Sequence, residues 1–478
     1  MHSIKQSGVL LAVACAAGLW IGAESANASE GVLPAPEGWV QQQAAAGVTV
    51  FQSEYPDAQW WEAFGDSQLN ALVENALAHS PSLAVVEARI NEAKGQQQVA
   101  SSRLKPQAQV GVSYAWQYYS KSQFPFALNE RIFQLFSAPL QAGYEVDWLG
   151  QARNQRAIAI KGVEAAKLQY HSARLALANA VVSRYVQWAA MESLICLHTQ
   201  WVEGLTTLHA HAHRLLEEGQ QPVMTLRDAE AALAVGKAQL ANDEAMRAEI
   251  KHQLAVLLGQ TPAQFEANAW TPPRLELLTV LEAFPAGVPA TLLDHRPDMQ
   301  LAETALEAAE IQIKVAKKSF YPRITLTGQT GFTSLVAHRW LTLDALSSAL
   351  TPAISAPLLS GGVNKGRLTI AKAQRQQALN QYLDTFNTAC SQVETALARV
   401  HATRQTMAEQ MQRQGATSDK VNRVKLRYEQ GLDSAPTFWL ATLDLVPATS
   451  DAIVQRAQLA LETVSLMTTL GGGALKEP

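Results

Sequence analysis

Cysteine is nearly absent from this 478-residue chain, at three residues. Cys15 lies in an apolar N-terminal stretch, so the body of the chain holds only Cys196 and Cys390. Two thiols build no disulfide framework; both fall in helical patterns and read as buried free thiols. Charge is also sparse, at 17% of residues against roughly 25% in an average soluble protein. The net charge is -4 with no run of Lys or Arg, which excludes a nucleic-acid surface. Beyond the N-terminus no apolar run reaches the ~18 residues of a membrane helix, so a membrane crossing would have to use strands. No nucleophile–base set, zinc motif or phosphate loop appears. Ser360-Gly361-Gly362 lacks a lysine at phosphate-binding spacing and reads as a corner between a strand and a helix. The sequence supports neither an enzyme nor a cofactor.

What the chain has is itself, twice. Pro81, Glu87, Ala93, Val99, Ala100 and Pro106 match Pro297, Glu303, Ala309, Val315, Ala316 and Pro322 at one offset of about 216, a long-period repeat. Gly150, Gly219 and Gly259 match Gly362, Gly431 and Gly471 at an offset about four shorter. The deletion between the two sets marks an exposed loop inside each copy.

The implied boundaries are a signal peptide (1–28), an N-terminal extended segment (29–59) and a first repeat (60–262). A linker (263–288), a second repeat (289–473) and a short tail (474–478) follow. Gly8 to Gly22 is apolar, and Ala26-Asn27-Ala28 is a small-residue cleavage site of the secretory kind. The rival reading lipidates Cys15 after Leu11-Ala12-Val13-Ala14.

The segments around each loop alternate. In Gln107–Tyr119 the even positions include Val110, Val112, Tyr114 and Trp116, and the odd ones Gln109, Ser113 and Gln117. Phe136–Trp148 alternates in the same phase. In the second copy Ile324, Leu326 and Phe332 alternate with Thr325, Thr327 and Gln329, and Leu350–Leu358 is the return strand. The hairpins span 107–148 and 322–359. Period two over about ten residues fits an outer-membrane barrel strand, and equally a two-sided hairpin on a soluble domain. Four strands are too few to close a barrel, so a barrel needs several chains.

From Gly150 to Gly219 there is no proline. A helix of that length extends about 100 Å, and Gly362 to Gly431 repeats it. Leu168, Leu175, Val182 and Ala189 fall at heptad spacing, as in a coiled coil. Returning helices run from about Val223 to Leu258 and from about Phe438 to Leu470. The tips between them carry Gly219, Gln220, Gly431, Leu432, Asp433 and Ser434, with glycine suited to a left-handed helix cap.

These features resemble the outer-membrane factor (TolC-like) family, in its NodT-type branch. The resemblance is carried by Trp60-Trp61-x-x-Phe64-x-Asp66 with Ala78-His79-Ser80-Pro81, and by Arg296-Pro297-Asp298 with Phe320-Tyr321-Pro322. Ala356-Pro357-Leu358-Leu359-Ser360-Gly361-Gly362, Tyr428-x-x-Gly431 and Leu470-Gly471-Gly472-Gly473 complete it. It covers about Trp60 to Gly473.

The resemblance implies an α+β membrane protein: a homotrimer with a twelve-stranded β-barrel, four strands per chain, continuous with a long α-helical periplasmic barrel. It implies an outer-membrane efflux channel that docks by its tips on a periplasmic adaptor bound to an inner-membrane pump. It assigns neither the pump class nor the exported compound. Secretion of the type I kind is one alternative; a non-conducting coiled-coil stalk is the other.

The family narrows its tunnel mouth with an acidic residue nine positions past the tip glycine. Counting from Gly431 reaches Leu440, with Asp444 one turn on; Leu226 and Asp228 are the counterparts in the first copy. These four are the candidate gate residues. Pro436 and Pro447 are expected to interrupt the last helix. His209, His211 and His213 lie near the first tip, where a solvated face outweighs a metal pair.

Overall fold

The computed structural model describes residues 59–120, 132–268, 270–278 and 295–472. The leader with Cys15, the segment 29–58, the linker from 279 and the tail 474–478 lie outside them.

In the first copy, α1 (Ser67–His79) and α2 (Pro81–Ser102) lead into β1 (Gln107–Val110), β2 (Ser113–Tyr118) and β3 (Ile132–Val146). Then come α3 (Gln151–Glu217), α4 (Val223–Leu257) and the short α5 (Pro262–Ala267). The second copy is α6 (Pro297–Lys318), β4 (Arg323–Ser334), β5 (Leu346–Ser355), α7 (Val363–Glu429) and α8 (Ala435–Thr469). Corresponding helices have equal lengths. Both α2 and α6 have 22 residues, α3 and α7 have 67, α4 and α8 have 35. A 67-residue helix is about 100 Å long.

The strands form one antiparallel sheet. β1 and β2 pair in turn with β3, β3 pairs with β4, and β4 with β5. β1 and β2 are one strand interrupted at Gly111 and Val112, since both keep a single register against β3. The cause is Pro139. Gly111 N–H donates to its carbonyl (3.0 Å), but proline has no N–H to return. On its other side Pro139 faces Gly331, where a Cβ would come within 2.2 Å of the Ala138 carbonyl oxygen. A proline in mid-sheet is thus accommodated by a glycine on each neighbour.

β5 starts and ends earlier than the sequence predicts, at Leu346 and Ser355 rather than Leu350 and Leu358. Its last partner is Arg323. Pro322 precedes that residue and cannot extend the ladder.

The last helix also differs from expectation. It starts at Ala435, with the Ser434 side chain capping Thr437 N–H and Pro436 in the first turn, where proline is tolerated. It then runs through Pro447 without a break.

The main core lies around α3. Trp60, Trp61 and Phe64 pack there with Tyr185 and Trp188, with the end of α4 and with α8. Asp66 caps α1 through Gln68 N–H (2.8 Å) and accepts from the Tyr185 hydroxyl (2.6 Å). Burial and that carboxylate push the tyrosine hydroxyl upward. The described part of the linker belongs to this core, through Phe265, Leu275 and Leu278.

The Arg-Pro-Asp motif ties three helices together. The Arg296 guanidinium is buried and donates twice to Asp298 (3.0 and 2.7 Å), once to the Thr469 carbonyl (2.7 Å) and once to Gln392 (2.7 Å). Burial raises the Asp298 carboxyl, but the Arg296 bonds outweigh it and hold it below its ordinary value. In the first copy the same site is Ser80 and Ser82, bonded to each other at 2.9 Å.

A depressed carboxyl stabilises the fold at pH above its ordinary value, and that contribution is lost as pH falls. Asp298→Asn should therefore lower the thermal midpoint by several degrees at pH 7, because it strands a buried cation. The gap to wild type should close as pH drops below about 4. A gap that is constant with pH in thermal melts would contradict the ion pair's role.

Candidate functional site

The register assigns each strand residue to one face. Even-numbered residues pair with even across all the ladders. One face therefore carries Val110, Tyr114, Trp116, Leu140, Leu326 and Leu350, among others. The opposite face carries Gln109, Gln141, Glu145, Thr325, Thr327 and Gln329. Leu140, Val110, Trp116 and Leu350 are exposed in the single chain. Thr330 and Ser348, opposite each other on the apolar face, bond each other through their hydroxyls at 2.9 Å.

Aromatic residues mark both ends of this face. Tyr114 packs on Phe136 (centroids 4.8 Å apart), and Trp340 packs on the same ring (5.9 Å). At the helical end the Trp148 indole donates to the Pro322 carbonyl (3.1 Å). From Phe136 to Val146 the strand covers roughly 33 Å, or about 25 Å along a membrane normal at barrel tilt. Among the described residues no helix is long and apolar enough to cross a membrane.

Both helical tips close alike. Gly219 and Gly431 have positive φ, and the following N–H of Gln220 or Leu432 donates to a carbonyl five residues back (2.8 Å each). That is a Schellman cap. At the second tip Arg427 donates twice to Asp433 (2.8 and 3.1 Å), and Tyr428 stacks on Phe438.

The four gate candidates fall in different environments. Leu440 is 59% exposed, whereas Leu226 is 8% exposed and packs with Ala212 and Ala229 between α3 and α4. Leu226 thus has its side chain committed to the hairpin. Asp444 forms an ion pair with Lys420 (2.7 Å), so its carboxylate is already compensated. Asp228 is exposed and lies nine residues past Gly219, as Leu440 lies nine past Gly431. The two are equivalent positions in the two copies.

Other residues are placed plainly. His213 faces Glu217 (3.4 Å) and His209 faces Glu230 (4.0 Å). Among the described residues no group of three donors could hold a metal ion. Cys196 is exposed rather than buried, and Cys390 is half-buried; both are free, and burial pushes the Cys390 thiol up.

One buried cluster was not expected from the sequence. His198, 7% exposed, bonds Asp243, 3% exposed. Gln239 donates to the same carboxylate (2.9 Å), and Ser450 meets the other imidazole nitrogen at 3.3 Å. The signal lies in the heptads. Met191, His198, Leu205 and Ala212 are spaced by seven on α3, as are Ala229, Gly236, Asp243 and Ile250 on α4; all are buried. The pair is a polar layer in an apolar seam.

The profile of the family described as "Outer membrane efflux protein" matches residues 72–260 and 288–472. The pyoverdine export outer membrane protein OpmQ of Pseudomonas putida is 26% identical over 463 residues, covering 93% of each chain. The toluene efflux pump outer membrane protein TtgC of the same species is 26% identical, over 87% of this chain and 85% of its own. The cation efflux system protein CusC of Escherichia coli is 23% identical, over 88% and 90%. Two crystal structures share the fold. VceC of Vibrio cholerae has a TM-score of 0.78 at 24% identity, over 88% of this chain and 100% of that one. CmeC of Campylobacter jejuni has 0.83 at 19%, over 93% and 94%. The chain belongs to the outer membrane efflux protein family, as a non-enzymatic outer-membrane channel component with a long helical periplasmic part.

Proposed function

We propose that three copies close their sheets into one twelve-stranded barrel and form the exit duct of a tripartite efflux pump. The observation that carries this is the sheet itself. It has one apolar and one polar face, and among the described residues both outer strands, β1/β2 and β5, pair on one side only. Unpaired edges are not tolerated in lipid, so the edges must meet those of other copies. Two copies would give eight strands, whose interior is filled by side chains; twelve leave a bore.

The apolar face then meets outer-membrane lipid and the polar face lines the lumen. The tips, Gly219 and Gln220 with Gly431 to Ser434, are the docking sites for a periplasmic adaptor, which joins the duct to an inner-membrane pump. Just inside them, the exposed Asp228 and Leu440 narrow the mouth, three of each per trimer. Asp444 acts there only if its bond to Lys420 opens. The cargo is a small molecule. The relatives' names span pyoverdine, toluene and cations, so their cargo does not carry over to this chain.

The protein extracted in mild detergent should have three times the chain mass by native mass spectrometry; a monodisperse monomer would sink the barrel. Leu140 lies near the middle of β3 on the apolar face. Arg in its place should cost about 2–4 kcal/mol of barrel stability, while Gln141→Arg should assemble and change only conductance. Equal tolerance of both in membrane-inserted yield would reverse the face assignment. In planar bilayers Leu440→Ala should raise the conductance of the isolated trimer, and Asp228→Asn should lower its preference for cations. No change in either quantity would move the constriction away from this ring.

A further inference from the structure

A cavity of about 590 Å³ opens on the polar face of the sheet where it joins the helices. Its basic lining comes from Arg103 and Lys105, in the turn after α2, and from Arg323 at the foot of β4. A second cavity of about 360 Å³ shares Arg323, Gln151 and Gln155 with it and adds Arg367 of α7. The two form one basin at the level where the helical part meets the barrel.

The charge of this basin is unbalanced. Asp147 is the first of its two acids, and it is spent on Arg153, at 3.1 Å, and on the Ala152 N–H, at 2.9 Å. Glu145 is the second, and among the described residues it has no ion-pair partner. The four cations have none either. Arg103 donates to the neutral Gln155 (2.7 Å), which orients its guanidinium without neutralising it. Four cations against one free carboxylate leave a surplus of three per chain. The remaining polar lining includes Gln107, Gln109 and Gln141, which offer amide donors and no charge.

We propose that this basin is an anion-binding belt, which favours solutes bearing carboxylate or phosphate groups as they pass from the helical duct into the barrel. The proposal rests on the channel reading above, since only closure of three copies turns three basins into a belt with a surplus of nine charges. Rings of Arg and Lys select anions by the same physics in other pores. Low-dielectric walls around a narrow bore strengthen the field that each charge projects into it. Guanidinium groups suit the task because their planar donor fork matches carboxylate and phosphate geometry. The mouth residues contribute nothing to this belt.

The test uses the purified full-length protein in planar bilayers, at low salt because the field is screened within about 10 Å at 0.1 M. Inorganic pyrophosphate is the probe. It should reduce the wild-type current at millimolar concentration, and Arg323→Gln/Arg367→Gln should need at least tenfold more for the same reduction. Arg323→Lys/Arg367→Lys keeps the charges and should retain most of the block, which separates loss of charge from damage to the fold. A wild-type current indifferent to pyrophosphate would overturn the belt, and so would equal block of wild type and the Gln variant. A wild-type protein that passes no current would instead overturn the channel reading on which the belt depends.

Discussion

An unpaired strand edge cannot be left in hydrocarbon, where each bare N–H or C=O costs several kcal/mol. This constraint orders the rest of the molecule. One copy of the repeat supplies a single hairpin, and duplication supplies two. β3 and β4 join them over eleven residue pairs. Even so, among the described residues the four-stranded sheet keeps two unpaired edges. The association proposed above thus rests on the backbone, before any side-chain contact between subunits is considered. Pro139 shows how little freedom is left, since it removes a ladder donor towards β1/β2. Pro139 is tolerated because glycines flank it on both sides.

Below the membrane the governing interaction is the helical seam. α3 and α4 meet in layers that step by seven: Met191 with Ile250, His198 with Asp243, Leu205 with Gly236, Ala212 with Ala229. A Cβ on Gly236 would lie 2.7 Å from Leu205 Cδ1, so small and large residues alternate across the seam. A run of apolar layers alone would slide by a heptad at little cost. The His198–Asp243 layer pairs only in one register, because any slip leaves buried polar groups without partners. Its Ser–His–Asp order resembles a hydrolase triad, but here the three groups come from three packed helices and fix how α3, α4 and α8 align.

The large-scale design was legible because it is written in periodicities. Length between capping glycines set the helices, alternation set the faces, and the offset between copies set the duplication. What escaped was what proline and pairing decide locally. The break at Gly111 depends on a residue 28 positions away, Pro139, and the end of β5 depends on Pro322, just ahead of the neighbouring strand β4. Pro447 suggested a broken helix, yet packing along α8 holds the helix together despite the lost donor. Cys196 sits in a helical pattern but on the outer side of it, which composition cannot reveal. The polar seam was present as two heptads interrupted by His and Asp, and only antiparallel pairing shows that the interruptions meet.

The two copies agree in backbone and part company in chemistry. Gly259 and Gly471 take the same left-handed cap and lie against the same place: a Cβ added there would come within 2.7 Å of the His79 carbonyl oxygen in one copy and 3.4 Å of the His295 carbonyl oxygen in the other. Around that shared geometry one copy has two serines and the other an arginine–aspartate cross-link. Inside the tips one copy has Asp228 where the other has Leu440. In the proposed trimer, backbone equivalence would let six hairpins from three chains form one quasi-regular tube. Side-chain divergence would then give the proposed tube alternating acidic and apolar positions at its mouth, a pattern that three identical but unduplicated units could not produce. Duplication thus does more than lengthen the chain: it frees one copy to hold the structure while the other varies.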